Sequence, residues 1–479
     1  MSDAANARGN GEASADDSTT DPPAGSAGDR VADAPRPPHV DGLPFVGSTL
    51  GFVRDGLAFG DRVLERGDVA SYDAIGERFV AVADPDAVEA ILVSRNDEFR
   101  KGDFETEFGE MLAPEGLAFT EGERWQRQRQ ALQGSFTPSK VQGFADAIVD
   151  RASALADDWA AADDAVALRD DASRFALDVL ARTLLDIDLD GDRGDVVATA
   201  VDAISDYASP TAMAVPDWLP HPARRRYRRA MADLDELVDA LVAERRAAAN
   251  GDDGFGDDLL GTMLAAVADG RGLREGELRD QLVTFLFAGH ETTATALTYA
   301  VWLVAGHPRV GERLREELDA VLDGSDPTFA DVPRLSYTEA VVEEALRLYP
   351  PVTALYREAV APTTVGGYRV DPGEVLQLST YHVHRDDRWW TAPTTFRPER
   401  WLDDAAFGRD AADRPEYAFF PFGGGPRHCI GMRFARLELR LALATLASHL
   451  AFERVGGFDP TVRIALDPGD VRVRTTERR

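Results

Sequence analysis

The chain has 479 residues, 44% of them hydrophobic, and a formal net charge of −32 from 52 Lys plus Arg against 84 Asp plus Glu. That apolar content excludes a chain disordered throughout, and a balance so acidic excludes nucleic acid as the main partner, since phosphate binding needs a basic face. Lys occurs only as Lys101 and Lys140, and acid in such excess points to a halophilic surface, where dense carboxylates keep a chain soluble under strong screening.

Residues 1–40 are rich in Ala, Gly, Ser, Asp and Pro and nearly free of large apolar side chains, so a disordered tail is expected there. It lacks the basic start and apolar stretch of a secretory signal. No later change of composition marks a linker, so residues 41–479 are expected to form one domain. Alternation over residues 69–72 and 79–82 reads as a strand pair turning at Gly76. Apolar residues at three- and four-residue spacing then predict helices over residues 122–134, 138–161, 171–186, 224–249, 275–306, 307–323, 337–349 and 429–451. The fourth opens with Arg224-Arg-Arg-Tyr-Arg-Arg229, expected as an exposed helix start, with contact to an anionic lipid surface as the alternative. The fifth holds a long apolar run, residues 282–305, with His290 and Glu291 in its middle. A charge there is costly in lipid, so a buried core helix is expected and not a transmembrane anchor. Strands are expected over residues 367–370 and 375–380, paired about Pro372-Gly373, and over residues 462–465 and 471–475, paired about Pro468-Gly469. The fold class is mainly α with minor β.

Cys429 is the only cysteine, so no intramolecular disulfide can form and a reducing, cytoplasmic interior is expected. It ends the loop Phe422-Gly-Gly-Gly-Pro-Arg-His-Cys429 and opens the last predicted helix. A helix N-terminus offers unpaired N–H groups and a positive dipole end, which suit a thiolate. Gly425 and Gly431 permit close backbone approach, and Arg427 adds a cation suited to an anionic ligand group. The complete pattern Phe-x-x-Gly-x-Arg-x-Cys-x-Gly, from Phe422 to Gly431, resembles the haem-binding loop of the cytochrome P-450 family. Four further segments stand in that family's order: Trp125-x-x-x-Arg129, Ala288-Gly-His-Glu-Thr-Thr293, Glu344-x-x-Arg347 and Phe396-Arg-Pro-Glu-Arg-Trp401.

The resemblance implies the family's fold, a triangular prism of helices with a small sheet domain. It implies haem b (iron protoporphyrin IX), with Cys429 as axial ligand to the iron and Phe422, Gly425 and Arg427 in the loop that holds it. Trp125, Arg129 and, less specifically, Arg357 match positions that bind a haem propionate. Thr292 and Glu291 match the proton relay, whereas His290 is expected to pack or cap. Glu344, Arg347 and Arg400 match a structural ion network under the haem. The implied activity is insertion of one atom of O2 into a lipophilic substrate such as a fatty acid, a terpenoid or a sterol-like compound. Phe104, Phe108, Met111, Leu112, Phe285, Ala288, Val352 and Leu355 match pocket positions. No dinucleotide fingerprint or fused flavin or iron–sulfur domain is visible, so the implied electron source is a ferredoxin or flavodoxin with an NAD(P)H-dependent reductase. Arg124, Arg127, Arg433, Arg436 and Arg440 are expected to form a basic docking patch for such an acidic carrier. Two other readings stay open, a peroxide-dependent peroxygenase and a non-catalytic haem-thiolate sensor. The Glu291–Thr292 pair speaks against the sensor, which needs no proton relay.

Overall fold

The computed structural model describes residues 31–43, 46–189, 191–207, 221–249, 254–270, 272–402 and 414–478. Its longer helices are α1 (Gly56–Leu64), α2 (Asp103–Leu112), α3 (Gly122–Leu132), α4 (Ala145–Ala160), α5 (Leu168–Leu180), α6 (Asp192–Tyr207), α7 (Pro222–Ala248), α8 (Leu259–Ala268), α9 (Leu278–Ala305), α10 (Pro308–Leu322), α11 (Ser336–Leu348) and α12 (Met432–His449). Every segment predicted to be helical overlaps one of them, and α1, α2, α6 and α8 were not expected. Residues 138–161 break at Gly143, and α5 runs on through a π turn, Ala181–Leu185.

The 28-residue α9 runs through the middle of the core, buried over nearly its whole circumference, as expected for a helix apolar on all sides. It packs on α5, α11 and α12. A Cβ on Gly289 would lie 2.1 Å from Leu180 Cδ1, so this glycine lets α5 approach. The helix ends at Gly306, and Pro308 opens α10, where a proline costs no hydrogen bond. Among the described residues no helix is long and apolar enough to cross a membrane.

The largest sheet has six strands in the order β1-β2-β3-β9-β6-β4: β1 (His39–Val40), β2 (Val69–Ala74), β3 (Glu77–Val82), β4 (Phe99–Arg100), β6 (Leu355–Ala359) and β9 (Val375–Leu378). The β2–β3 hairpin turns through Ile75 and Gly76, at φ of 50° and 90°. The two later expected pairings do not form. β8 (Tyr368–Val370) pairs with β7 (Thr363–Val365), while β9 lies between β3 and β6. Likewise β13 (Arg472–Glu477) pairs with β10 (Leu450–Val455) and β5 (Val166–Ala167), and β11 (Thr461–Val462) pairs with β12 (Leu466–Asp467). Pro-Gly pairs mark where a chain turns and do not say which strands then pair. Residues 1–30 of the expected tail lie outside the described residues, but its end is built in, since β1 pairs with β2 and Arg36 bonds Glu374.

Candidate active site

The loop ahead of α12 is set by its glycines. Gly423 and Gly425 hold φ of 70° and 62°, and a Cβ on Gly425 would lie 1.8 Å from the Leu92 carbonyl oxygen. Conformation and space both demand glycine at 425. The Cys429 N–H donates to the Phe422 carbonyl at 2.9 Å and closes the loop. Helix α12 begins only at Met432, with Gly431 as its N-cap, so Cys429 stands ahead of the first turn and does not open it. Gly431 has room for a side chain, its nearest neighbour being a Phe136 ring carbon at 3.9 Å, so close approach does not explain it. Burial pushes the Cys429 thiol up, while the N–H groups of Gly431 and Met432 and the Arg129 cation pull it back. By surface area the same residue is exposed. The sulfur is thus surrounded by protein while its own surface stays accessible. Ala288 is likewise exposed in the middle of the otherwise buried α9.

Around this loop the fold gathers Lys101, Arg129, Arg357 and Arg427. Arg427 lies over the Trp125 ring at 4.7 Å, donates to the Thr120 carbonyl at 2.5 Å and reaches Glu121 at 3.4 Å. Arg129 donates to the His428 carbonyl at 3.1 Å. Glu105 accepts from Lys101 at 2.8 Å and lies 3.7 Å from Arg357. Burial lowers Arg427 to about 10, with Arg357 and Arg129 adding to the fall and Glu121 and Glu105 opposing it. Burial also lowers Lys101, Glu105 opposes this, and Arg357 and Arg427 deepen it. Among the described residues, four cations against two carboxylates leave two positive charges without a counter-charge in partly desolvated surroundings, a costly state that anions relieve. A group bearing two carboxylates, as haem bears two propionates, fits this excess. Sequence reasoning missed Lys101, although its rarity was a signal, since the chain has only one other lysine.

On α9 the Thr292 hydroxyl donates to the Ala288 carbonyl at 2.8 Å, and Thr293 to Gly289 at 3.1 Å. Glu291 diverges from Thr292 by about 100° around the helix. Its carboxylate lies 3.5 Å from Arg169, which is also 3.4 Å from Asp467 and 4.0 Å from Asp202. His290 is fully buried, donates from Nδ1 to the Leu286 carbonyl at 2.5 Å and leaves Nε2 without a partner. Burial lowers its pKa, which keeps it neutral. With Gly289 taken up by Leu180, Ala288 is the small residue on the open side.

Behind the loop, Glu344 and Arg347 of α11 are 0% exposed. Glu344 accepts two bonds from Arg347 at 2.9 Å, one from Arg400 at 2.9 Å, one from the Trp401 indole at 2.9 Å and one from the Arg397 backbone at 3.0 Å. Arg347 also donates to the carbonyls of His384 and Pro393 at 2.7 Å. His384 in turn accepts the Phe420 N–H at 2.9 Å, just ahead of the cysteine loop. Burial holds its imidazole well below the usual histidine range, and Arg347 and Arg385 push the same way. The network therefore braces the loop.

Other expected residues fall elsewhere. Leu112 and Phe285 are 2% and 7% exposed, and Phe285 stacks on Phe136 at 5.7 Å, so both belong to the core. Phe104 packs on Tyr356 of the large sheet at 4.9 Å. The expected basic patch is mostly neutralised: Arg124 pairs with Glu115, Arg127 with Glu277, Arg436 with Glu343 and Arg440 with Glu339. Exposed Arg433 makes no ion pair among the described residues.

Comparison with known proteins adds to this geometry. The model of the cytochrome P450 family matches residues 35–462. The chain is 33% identical over 420 residues to cyclooctat-9-en-7-ol 5-monooxygenase of Streptomyces melanosporofaciens, covering 87% of this chain and 89% of that protein. It is 31% identical to cyclooctatin synthase of the same organism, over 90% of this chain and 94% of that protein. It is 32% identical to pentalenene oxygenase of Streptomyces avermitilis, over 85% of this chain and 89% of that protein.

Proposed function

Because the chain belongs to the cytochrome P450 family, we propose that Cys429 would ligate the haem iron and that the chain works as a haem-thiolate monooxygenase on a terpenoid. Membership makes the protein an oxidoreductase that uses haem iron. The observation that carries the residue assignment is the excess of two cations beside an accessible thiol. Haem b, when bound, supplies the activation of dioxygen and the transfer of one oxygen atom to the substrate.

The chain's own residues perform the remaining tasks. The N–H groups of Gly431 and Met432 hold negative charge on the Cys429 sulfur. Lys101, Arg129, Arg357 and Arg427, with Trp125 beneath Arg427, would hold the two propionates. The Thr292 hydroxyl, its proton committed to Ala288, presents lone pairs that accept a hydrogen bond from ordered water. Glu291, beside Arg169, takes protons from the solvent side and passes them on through such water. The apolar side chains of Phe108, Met111, Ala288, Val352 and Leu355 favour a lipophilic substrate and exclude bulk water. Among fatty acids, terpenoids and sterol-like compounds we favour a terpenoid, because relatives at 33% and 32% identity are named for oxidising cyclooctat-9-en-7-ol and pentalenene. Residues 41–479 form the haem domain, in a protein that works in the cytoplasm and is adapted to high salt. A separate ferredoxin or flavodoxin with an NAD(P)H-dependent reductase delivers the electrons.

Substrate screening by haem spin-state shift, followed by turnover with surrogate redox partners, tests this reading. Product formed with NAD(P)H and O2 supports it. Turnover with peroxide alone makes the protein a peroxygenase, and binding without turnover in either system makes it a sensor.

A further inference from the structure

A cleft of about 530 Å3 opens between α6 and the start of α7, lined by Thr199, His221, Arg225, Arg226, Arg229 and Asp233 among others. Its size is that of a small-ligand site. Three guanidiniums meet there on a chain whose net charge is −32. Arg226 is satisfied by Asp206 at 2.7 Å. Arg225 and Arg229 make no ion pair among the described residues, and four residues of spacing put them on one helix face, close enough to share one oxyanion. Asp233 shares the cleft and offsets part of this charge, and two guanidiniums against one carboxylate still leave the lining net positive. The guanidinium fork matches the oxygens of a phosphate.

The same helical turn is tied to the substrate side of the fold. Tyr227 stacks on Tyr207 at 4.6 Å, and its hydroxyl donates to the Met111 carbonyl at the end of α2. Met111 and Phe108 of α2 belong to the proposed pocket.

We propose that this cleft binds a small phosphate-bearing anion through Arg225 and Arg229, with Thr199 and His221 as further donors, and that Tyr227 transmits its occupancy to the substrate pocket. The transmission clause rests on the proposed function, and the binding clause does not.

Titration calorimetry of the full chain with pyrophosphate, and co-sedimentation with vesicles containing phosphatidic acid against phosphatidylcholine alone, distinguish a free phosphate from a lipid headgroup. One-to-one binding of pyrophosphate, or selective binding of the phosphatidic acid vesicles, is expected. Either should weaken about tenfold or more in the double variant R225Q/R229Q, with an unchanged circular dichroism spectrum. It should persist in R246Q, which alters a half-exposed arginine of α7 paired with Glu275 away from the cleft. No binding to either probe, equal binding by R225Q/R229Q, or equal weakening in R246Q overturns the site. For the transmission clause, pyrophosphate should shift substrate affinity, read by haem spin state, in the wild type and not in Y227F. An equal shift in Y227F, or none in the wild type, overturns that clause while the calorimetry still decides the site.

Discussion

Substitution of Glu344 by Gln keeps the volume of the side chain and removes its charge. Oε1 accepts from Arg347, Arg400 and the Arg397 backbone, and Oε2 accepts from Arg347 and Trp401. An amide oxygen in the first place keeps three bonds, but the amide nitrogen then meets two donors head on. Two guanidiniums, both 0% exposed, also lose their counter-charge. Breaking a buried pair by removing one partner costs about 3–5 kcal/mol. At about 2.1 cal/mol/K per residue, a chain of 479 residues unfolds with an entropy of about 1 kcal/mol/K, so the midpoint of E344Q should fall by about 3–5 °C. Thermal unfolding followed by far-ultraviolet circular dichroism measures this. The cycle with R400Q should show a coupling above about 1 kcal/mol. A midpoint shift under about 1 °C, or additive single and double variants, would refute the claim that these residues act as one buried unit.

Gly425→Ala should fold its helical body yet fail to hold haem, because the new Cβ meets the Leu92 carbonyl at 1.8 Å; normal haem stoichiometry would count against the loop geometry. Ile75→Gly should raise stability by about 1 kcal/mol in urea titration, since a β-branched residue there holds a φ of 50°; a loss would show that the turn is unstrained. His290 and His384 are held below the usual histidine range by burial. The unfolded chain then binds more protons below about pH 6.5, so their stabilisation is complete above that pH and is lost as pH falls through it. His384→Asn should flatten this slope between pH 7 and 5 relative to the wild type, and an unchanged slope would argue against a neutral imidazole behind the loop.

Eight of the twelve longer helices and the cysteine loop were legible because both rest on local rules. Helical spacing buries one face regardless of partner, and Gly425 is required by its own φ and its nearest carbonyl. What was illegible depends on contacts distant in sequence. Pro372-Gly373 announced a turn, but β9 found its partners in β3 and β6. The arginines 124, 127, 436 and 440 read as a free basic patch until folding brought Glu115, Glu277, Glu343 and Glu339 beside them. Lys101 joined the cationic group only through Glu105 on α2 and the neighbouring Arg357 and Arg427. Gly289 looked like part of the catalytic segment, and the structure gives its space to Leu180.

Sulfur ligation at Cys429 is open to direct measurement. The purified protein, reduced and exposed to carbon monoxide, should show the red-shifted Soret band of a thiolate-bound haem, and the Cys429→Ala variant should lose it. A band at the position of a histidine-ligated haem in the wild type, or an undiminished red-shifted band in the variant, would contradict the assignment.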